Sequence, residues 1–189
     1  LPTTGSTYNA NAPDRIYISQ LLLDSQDRGA LVAGTGQTAP ALMGWAIREG
    51  AFVGEASLAI AASASFTELF SALLPNGDVL LVYQQSADTV LRAVTFSYDE
   101  VAEKASFNKP VELEQAPASP YGLTVDAQGN ATLSYSLAGK DLLRRRVGGV
   151  WGEPTALGVS DGWYADPVVD ANGTAFVARA AGDYTTLTI

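Results

Sequence analysis

The chain has 189 residues, of which 47% are hydrophobic and 16% charged, and its formal net charge is −9. This length and composition predict one globular domain with its own core, and no apolar run approaches the roughly 20 residues that a membrane helix needs. The negative charge disfavours nucleic acid as a partner, and the absence of Cys and His excludes Ser-His-Asp triads, thiol nucleophiles and zinc sites made of imidazole or thiolate.

Four segments along the chain share one plan, in which an apolar strand enters a turn containing Gly and a second apolar strand leaves it. The turning glycines are Gly29, Gly77, Gly129 and Gly173, spaced by 48, 52 and 44 residues. Asn-Gly and Gln-Gly pairs supply the residue that tolerates positive φ in a tight hairpin. A repeat of this length is typical of propeller blades with four strands.

The later elements of each repeat complete the four-stranded plan. A third strand follows in every repeat, and a fourth element begins at Phe52, Phe107 and Trp151 in the first three. Pro110 and Pro154 follow two of these aromatic residues by three positions. This pattern predicts an outer edge strand, because an edge tolerates Pro.

Together the repeats predict an all-β fold, a β-propeller-like array of four antiparallel sheet repeats. We expect a single domain over 1–189, with repeats at about 19–64, 65–117, 118–160 and 161–189 and an additional N-terminal strand. Helical periodicity is poor, and only 98–105 indicates a helix, of one or two turns.

The fourth repeat lacks a fourth strand before Ile189, so its edge needs a partner. We expect the N-terminal segment to supply one, with Ile16-Tyr17-Ile18 or the stretch around Tyr8 pairing beside 184–189. The alternatives are that the chain forms part of a larger propeller, or that a homo- or hetero-oligomer completes the open blade.

One motif occurs twice in the second half of the chain. The segment from Val125 to Ala131 reads Val-Asp-Ala-Gln-Gly-Asn-Ala and is followed by Gly-Gly-Val-Trp-Gly-Glu-Pro at 148–154, and a second copy of the turn lies at 169–175. This pattern resembles the repeats of bacterial propeller and propeller-like proteins, a fold shared by surface adhesins, lectins and sialidase-like enzymes. The resemblance implies a fold rather than a function, and it departs from the sialidase Asp-box because no Trp follows these turns.

The best candidate for ligand binding is the loop at 160–167, which leads into the first strand of the fourth repeat. It combines Trp163 and Tyr164 with Asp161 and Asp166, and propeller loops of this kind gather aromatic and carboxylate groups suited to sugars or peptide side chains. The alternative is that Trp163 packs between blades, since aromatic residues also stand at two equivalent positions, Phe70 and Tyr121.

Two further groups of charged residues have structural interpretations. The run Arg144-Arg145-Arg146 suggests either a phosphate or sulfate site or a charged outer strand that discourages edge pairing, and we favour the strand. Asp126 and Asp170 directly precede their turns, so we expect their carboxylates to accept hydrogen bonds from backbone amides of the same hairpins.

The sequence favours a binding or scaffolding module over an enzyme. No pair of carboxylates can be assigned as acid and base, and we predict no catalytic residue, metal or cofactor. We expect an extracellular or bacterial cell-surface protein without a membrane span, which recognises a glycan or a partner protein. Two alternatives stay open: a propeller-type glycosidase or lyase that uses carboxylates and Tyr164, and a structural subunit or fragment of a larger assembly.

Overall fold

The computed structural model describes residues 16–35, 40–60, 66–159, 163–164, 167–170, 173–177, 179–180 and 187–188. Within these ranges the chain is all-β, without a helix, and every pairing for which a register is defined is antiparallel. The all-β prediction is therefore confirmed. None of the sheets closes on itself, and the described part contains no helix long and apolar enough to cross a membrane.

The first sheet, which we call sheet 1, is an up-and-down meander of four strands in the order β1-β2-β3-β4. Its strands are β1 (Ile16–Leu23), β2 (Gly29–Thr35), β3 (Ala41–Arg48) and β4 (Ala51–Ala59). Each strand pairs with the next one along the chain.

Sheets 2 and 3 repeat this meander, but their fourth position is divided between two short strands. Sheet 2 contains β5 (Phe66–Leu73), β6 (Val79–Gln85), β7 (Leu91–Asp99), β8 (Lys104–Phe107) and β9 (Val111–Glu114), and sheet 3 contains β10 (Ala118–Val125), β11 (Ala131–Leu137), β12 (Lys140–Val147), β13 (Val150–Trp151) and β14 (Thr155–Val159). Both β8 and β9 pair with β7, and both β13 and β14 pair with β12. Pro110 and Pro154 lie in the two interruptions, so the predicted edge position for these prolines is confirmed.

The remaining strands have two residues each and form two small sheets. One contains β15 (Trp163–Tyr164), β18 (Arg179–Ala180) and β19 (Leu187–Thr188), and the other pairs β16 (Val168–Val169) with β17 (Ala175–Phe176).

The chain divides into two compact units. Unit 1 comprises Leu1–Asp88 and Ala93–Val111, and unit 2 comprises Thr89–Arg92 and Glu112–Ile189. Sheet 1 lies wholly in unit 1 and sheet 3 wholly in unit 2. The single domain over 1–189 stays a prediction.

The core of unit 1 lies between sheet 1 and sheet 2. The face of sheet 1 that carries Ala30, Val32 and Leu42 packs against sheet 2, and we call it the trailing face. We call the opposite face of each sheet its leading face. In sheet 2 the leading face carries Val79, Leu81 and Tyr83, and it contacts the trailing face of sheet 1. Alternation along each strand separates the two faces.

Three glycines on the trailing face of sheet 1 receive aromatic rings from sheet 2. A Cβ at Gly34 would lie 2.5 Å from Cδ2 of Phe66, and one at Gly54 would lie 2.9 Å from Cε2 of Tyr98. Gly44 is covered in the same way by the ring of Phe96. The sheets can therefore approach closely only because these positions lack side chains.

The first turn differs from its prediction. The position of Gly77, Gly129 and Gly173, which have φ of 80° to 84°, is held in the first turn by Asp27 with φ of 55°, and Gly29 also has a positive φ, 158°. Gly29 is instead the first residue of β2, where a Cβ would overlap the carbonyl group of Leu22. The turn positions 27, 77, 129 and 173 are thus 50, 52 and 44 residues apart.

Two further predictions are wrong. The segment 98–105 is not helical, because β7 continues to Asp99 and a turn leads directly into β8 at Lys104. The Asp99 carboxylate caps this turn by accepting hydrogen bonds from the amides of Val101 and Ala102.

Ile16-Tyr17-Ile18 is not a separate closing strand, because it begins β1 and pairs with Gly34 and Thr35 of β2. The alternative stretch around Tyr8 lies outside the described residues.

Candidate functional site

One polar cluster among the described residues of unit 2 joins Glu114 of β9, Tyr135 of β11 and Arg144 of β12. The Tyr135 hydroxyl donates a hydrogen bond to the Glu114 carboxylate, and Arg144 Nη1 lies 3.2 Å from the same oxygen, Oε1. Arg144 also donates from Nη1 to the Leu113 carbonyl and from Nε to the Gly152 carbonyl, the latter at 2.7 Å. The cluster thereby ties β9 and the Gly152 turn to the centre of sheet 3.

The electrostatics of this cluster suit a structural role. Burial raises the pKa of Tyr135, and the hydrogen bond to Glu114 raises it further. The Tyr135 side chain is fully buried, and the side chains of Glu114 and Arg144 are only 15% and 13% exposed. A tyrosine nucleophile or general acid needs access to substrate and a pKa near the working pH. Tyr135 has neither property, so it serves as a neutral donor.

The position of the arginine run contradicts its prediction as an outer strand. β12 is a central strand, paired with β11 on one side and with β13 and β14 on the other. Arg144 stands opposite Leu133, and Arg145 stands opposite Thr132. Arg144 binds the Glu114 carboxylate. The positive charge of Arg145 helps to lower the pKa of the Asp126 carboxyl group.

The turn aspartates behave as predicted. Asp126 Oδ1 accepts hydrogen bonds from the amides of Gln128 and Asn130 at 2.9 and 2.8 Å. Asp170 Oδ1 accepts one from the amide of Thr174 at 2.8 Å. Burial alone would raise the pKa of Asp126, but the hydrogen bonds from Asn130 and Gln128 outweigh it and hold the pKa below its usual value.

Asp24 forms the same turn in the first repeat. Its Oδ1 accepts hydrogen bonds from the amides of Arg28 and Gln26 at 2.9 and 2.8 Å. The hydrogen bond from the Arg28 amide is the largest cause of a lowered pKa at Asp24, and the Arg28 guanidinium, 2.8 Å from Oδ2, adds to it. These aspartates are therefore bound within their own hairpins.

A second polar cluster, in unit 1, was not predicted. Arg48 at the end of β3 has its guanidinium carbon 5.3 Å from the ring centroid of Tyr98, and its Nε is 3.2 Å from Glu100 Oε1. Its Nη1 donates to the carbonyl groups of Ile47 and Gly29 at 2.9 and 3.4 Å. Glu100 is 70% exposed, so its ion pair adds little, and the buried contacts of Arg48 are the important ones.

The trailing face of sheet 3 is polar where that of sheet 1 is apolar. Thr132 and Ser134 are each 1% exposed, and in the described part of unit 2 their hydroxyl groups have no hydrogen-bond partner. Arg145 Nε, on the neighbouring strand β12, also has no hydrogen-bond partner in the described part of unit 2. A Cβ at Gly173 would lie 3.6 Å from Arg145 Nη2, so the fourth repeat adjoins this face. Buried hydroxyl groups of this kind match ordered water.

The predicted ligand site is described only in part. Trp163 and Tyr164 form β15, and their backbones pair with Ala180 and Arg179 of β18. They therefore lie in β15, an edge strand of the small sheet that it forms with β18 and β19. Asp161 and Asp166 lie outside the described residues, and ligand binding by these four residues stays a prediction.

Among the described residues, no three carboxylates converge as metal ligands would. Comparison with known proteins finds no match to the chain, either among family models or among curated proteins.

Proposed function

We propose that the chain is a non-enzymatic binding module whose repeats are the blades of a β-propeller, and that it recognises a glycan or a partner protein. The observation that carries this proposal is the face-to-face stacking of sheets 1 and 2, two successive meanders of the same plan. Propeller blades pack in this manner, with the trailing face of one blade against the leading face of the next.

The equivalence of the repeats supports the same arrangement. Asp24, Leu74, Asp126 and Asp170 each donate an amide hydrogen bond to the carbonyl group four residues later and accept one from the amide three residues later. The turns therefore superpose in register. Leucines seven residues after this position, Leu81 and Leu133, are fully buried in sheets 2 and 3.

The proposed ligand contact consists of Trp163 and Tyr164, with Asp161 and Asp166 as polar partners. The net charge of −9 repels anionic ligands and so favours a neutral, hydrogen-bonding one. A glycan, which is rich in hydroxyl groups, fits this description better than an apolar peptide. The resemblance to surface adhesins and lectins supports an extracellular or bacterial cell-surface location.

The contacts of unit 2 support binding rather than catalysis. Tyr135, Glu114 and Arg144 combine the residue types that a carboxylate and tyrosine mechanism would use, yet they bind one another and the backbone. Their hydrogen bonds stabilise sheet 3 and leave Tyr135 without access to a substrate.

A glycan array probed with the purified chain tests the proposal. We expect binding to a neutral glycan, and we expect the double variant Trp163→Ala, Tyr164→Ala to lose it while keeping the circular dichroism spectrum of the wild type. Trp151→Ala is the matched control, since it removes an aromatic residue of unit 2 outside the proposed contact and should bind normally.

Three results would contradict the proposal. A folded double variant that still binds would place the ligand elsewhere, and a double variant that unfolds would make Trp163 a core residue. The third result is cleavage of the bound glycan during incubation, detected by mass spectrometry, because cleavage would show that the chain is an enzyme.

A further inference from the structure

We propose that the β16-β17 hairpin of the fourth repeat undocks reversibly from sheet 3 while sheet 3 itself stays folded, and that undocking uncovers a polar surface on the trailing face of sheet 3. Both elements belong to unit 2. The inference concerns local stability within that unit, so it does not depend on the propeller arrangement or on the ligand proposed above.

The hairpin lies against sheet 3. Its strand β16 contacts β10, and a Cβ at Gly173, in the hairpin turn, would lie 3.6 Å from Nη2 of Arg145 in β12. The hairpin therefore covers part of the trailing face of sheet 3, on which Arg145 stands opposite Thr132.

The two faces of the hairpin differ in exposure. Val168 and Phe176 pair across the hairpin and are 62% and 43% exposed. Val169 and Ala175 also pair, and both are half-buried. Because successive side chains of a strand point to opposite faces, the side chains of Val169 and Ala175 form the face turned toward sheet 3. That face is apolar and offers no side-chain donor or acceptor.

The surface of sheet 3 that it meets is polar. Thr132 and Ser134 are each 1% exposed, and neither their hydroxyl groups nor Arg145 Nε has a hydrogen-bond partner among the described residues of unit 2. A buried polar group without a partner destabilises the arrangement that buries it. Ordered water can bind such groups, but its immobilisation has an entropic cost. The docked state of the hairpin is therefore weakly stabilised.

The equivalent contact of sheet 1 is built differently. Counted from the turn positions Asp24 and Asp126, Thr132 and Ser134 occupy the places of Ala30 and Val32. These two residues belong to the apolar core between sheets 1 and 2. Separation of sheets 1 and 2 would expose apolar area on both sides, whereas undocking of the hairpin exposes apolar area on one side only.

The hairpin also has little stability of its own. β16 and β17 have two residues each and, within the part of unit 2 that the structure describes, pair only with each other. A two-stranded hairpin is marginally stable in water. Local opening takes place where burial and pairing are weakest, so this hairpin should open at a lower free energy than sheet 3. Opening brings the hydroxyl groups of Thr132 and Ser134 and the Arg145 guanidinium into contact with solvent.

Thiol labelling tests the proposal in the full chain, which contains no Cys. Ser134→Cys places a thiol of nearly the same shape beneath the hairpin. Ala131→Cys is the matched control, since Ala131 is 0% exposed on the opposite face of the same strand. We expect a water-soluble maleimide to label Ser134→Cys about tenfold faster or more than Ala131→Cys, while both proteins keep the circular dichroism spectrum of the wild type.

A second substitution tests the physical cause. Thr132→Val, added to Ser134→Cys, removes the buried hydroxyl group and keeps the shape of the side chain, so labelling should become about tenfold slower. Thr155→Val, at an exposed position of β14 in the same sheet, should leave the labelling rate unchanged.

Hydrogen exchange of the wild type, followed by NMR, tests the proposal without any substitution. The amides of Asp126 and Asp170 each donate a hydrogen bond to the carbonyl group four residues later, at 2.9 and 3.0 Å. Despite this common geometry, the Asp170 amide should exchange about tenfold faster or more.

Three results would overturn the inference. Equal labelling of Ser134→Cys and Ala131→Cys would show that Ser134 is uncovered only when sheet 3 unfolds. Labelling that Thr132→Val leaves unchanged or accelerates would contradict the destabilising effect of the buried hydroxyl group. Equal exchange of the Asp126 and Asp170 amides would show that the hairpin opens only together with sheet 3, and this result remains decisive if a cysteine variant fails to fold.

Discussion

Gly44 of β3 lies directly beneath the ring of Phe96 of β7, and a Cβ at Gly44 would overlap the Cδ2 and Cε2 atoms of that ring. Phe96 is 2% exposed and belongs to the core between sheets 1 and 2. The absence of a side chain at one residue thus sets the distance at which two sheets can pack.

Gly44→Ala should lower the free energy of unfolding by about 1–3 kcal/mol, because the added methyl group overpacks a filled core. Chemical denaturation measures the change. Gly152→Ala is the control, since its Cβ would lie 3.6 Å from the Arg145 carbonyl oxygen, an ordinary contact. In the Gly44→Ala background, Phe96→Leu should restore part of the lost stability. Equal stability of the two alanine variants would argue against close packing at Gly44.

Asp126→Ala should lower the free energy of unfolding by about 1–3 kcal/mol, because two backbone amides of the turn lose their acceptor. Glycan binding should be unchanged. Asp126→Asn, which keeps one oxygen acceptor, should be less damaging. Lost binding at unchanged stability would instead make Asp126 a functional residue.

The same aspartate predicts a pH dependence. The pKa of Asp126 is lowered in the folded state, so its contribution to stability is complete above the pKa of the unfolded chain, about 3.9. It is lost as pH falls through the lower folded-state value. The stability difference between wild type and Asp126→Asn should therefore be constant near neutral pH and decrease below about pH 4.

Tyr135→Phe should lower the free energy of unfolding by about 1–3 kcal/mol at pH 7, because it removes a donor from the buried carboxylate of Glu114. The pKa of Tyr135 is raised by burial and by Glu114, so its contribution is fully present below about pH 10 and is lost as pH rises further. Urea denaturation between pH 7 and pH 11 should show the wild type approaching the variant. A difference that grows with pH would contradict this role.

Features formed within one hairpin could be predicted from the sequence. The carboxylates of Asp126 and Asp170 contact amides at most four residues away, and Pro110 and Pro154 limit pairing at their own positions. The first turn shows how such reasoning fails: a nearby glycine suggested Gly29, although Asp27 holds the turn position equivalent to Gly77 with φ of 55°, as aspartate sometimes does.

Features formed between distant segments could not be predicted. Arg48 and Glu100 are 52 residues apart, and Arg144 reaches Glu114 across 30. Their pairing depends on how the strands and sheets pack against one another, and composition and periodicity do not predict that packing. For the same reason Arg144 resembled an exposed basic residue, although it is 13% exposed in a central strand.

The strand order of sheet 1 has a consequence for folding. Every strand pairs with its neighbour along the chain, and no two paired residues are separated by more than 19 positions. Such short loop closures have a small entropic cost, which favours rapid folding. Sheet 1 can therefore form during synthesis, before Phe66 and Phe96 have left the ribosome. Until sheet 2 arrives, the three glycine sites stay open to water, so sheet 1 completes its core only when the aromatic side chains of sheet 2 pack against it.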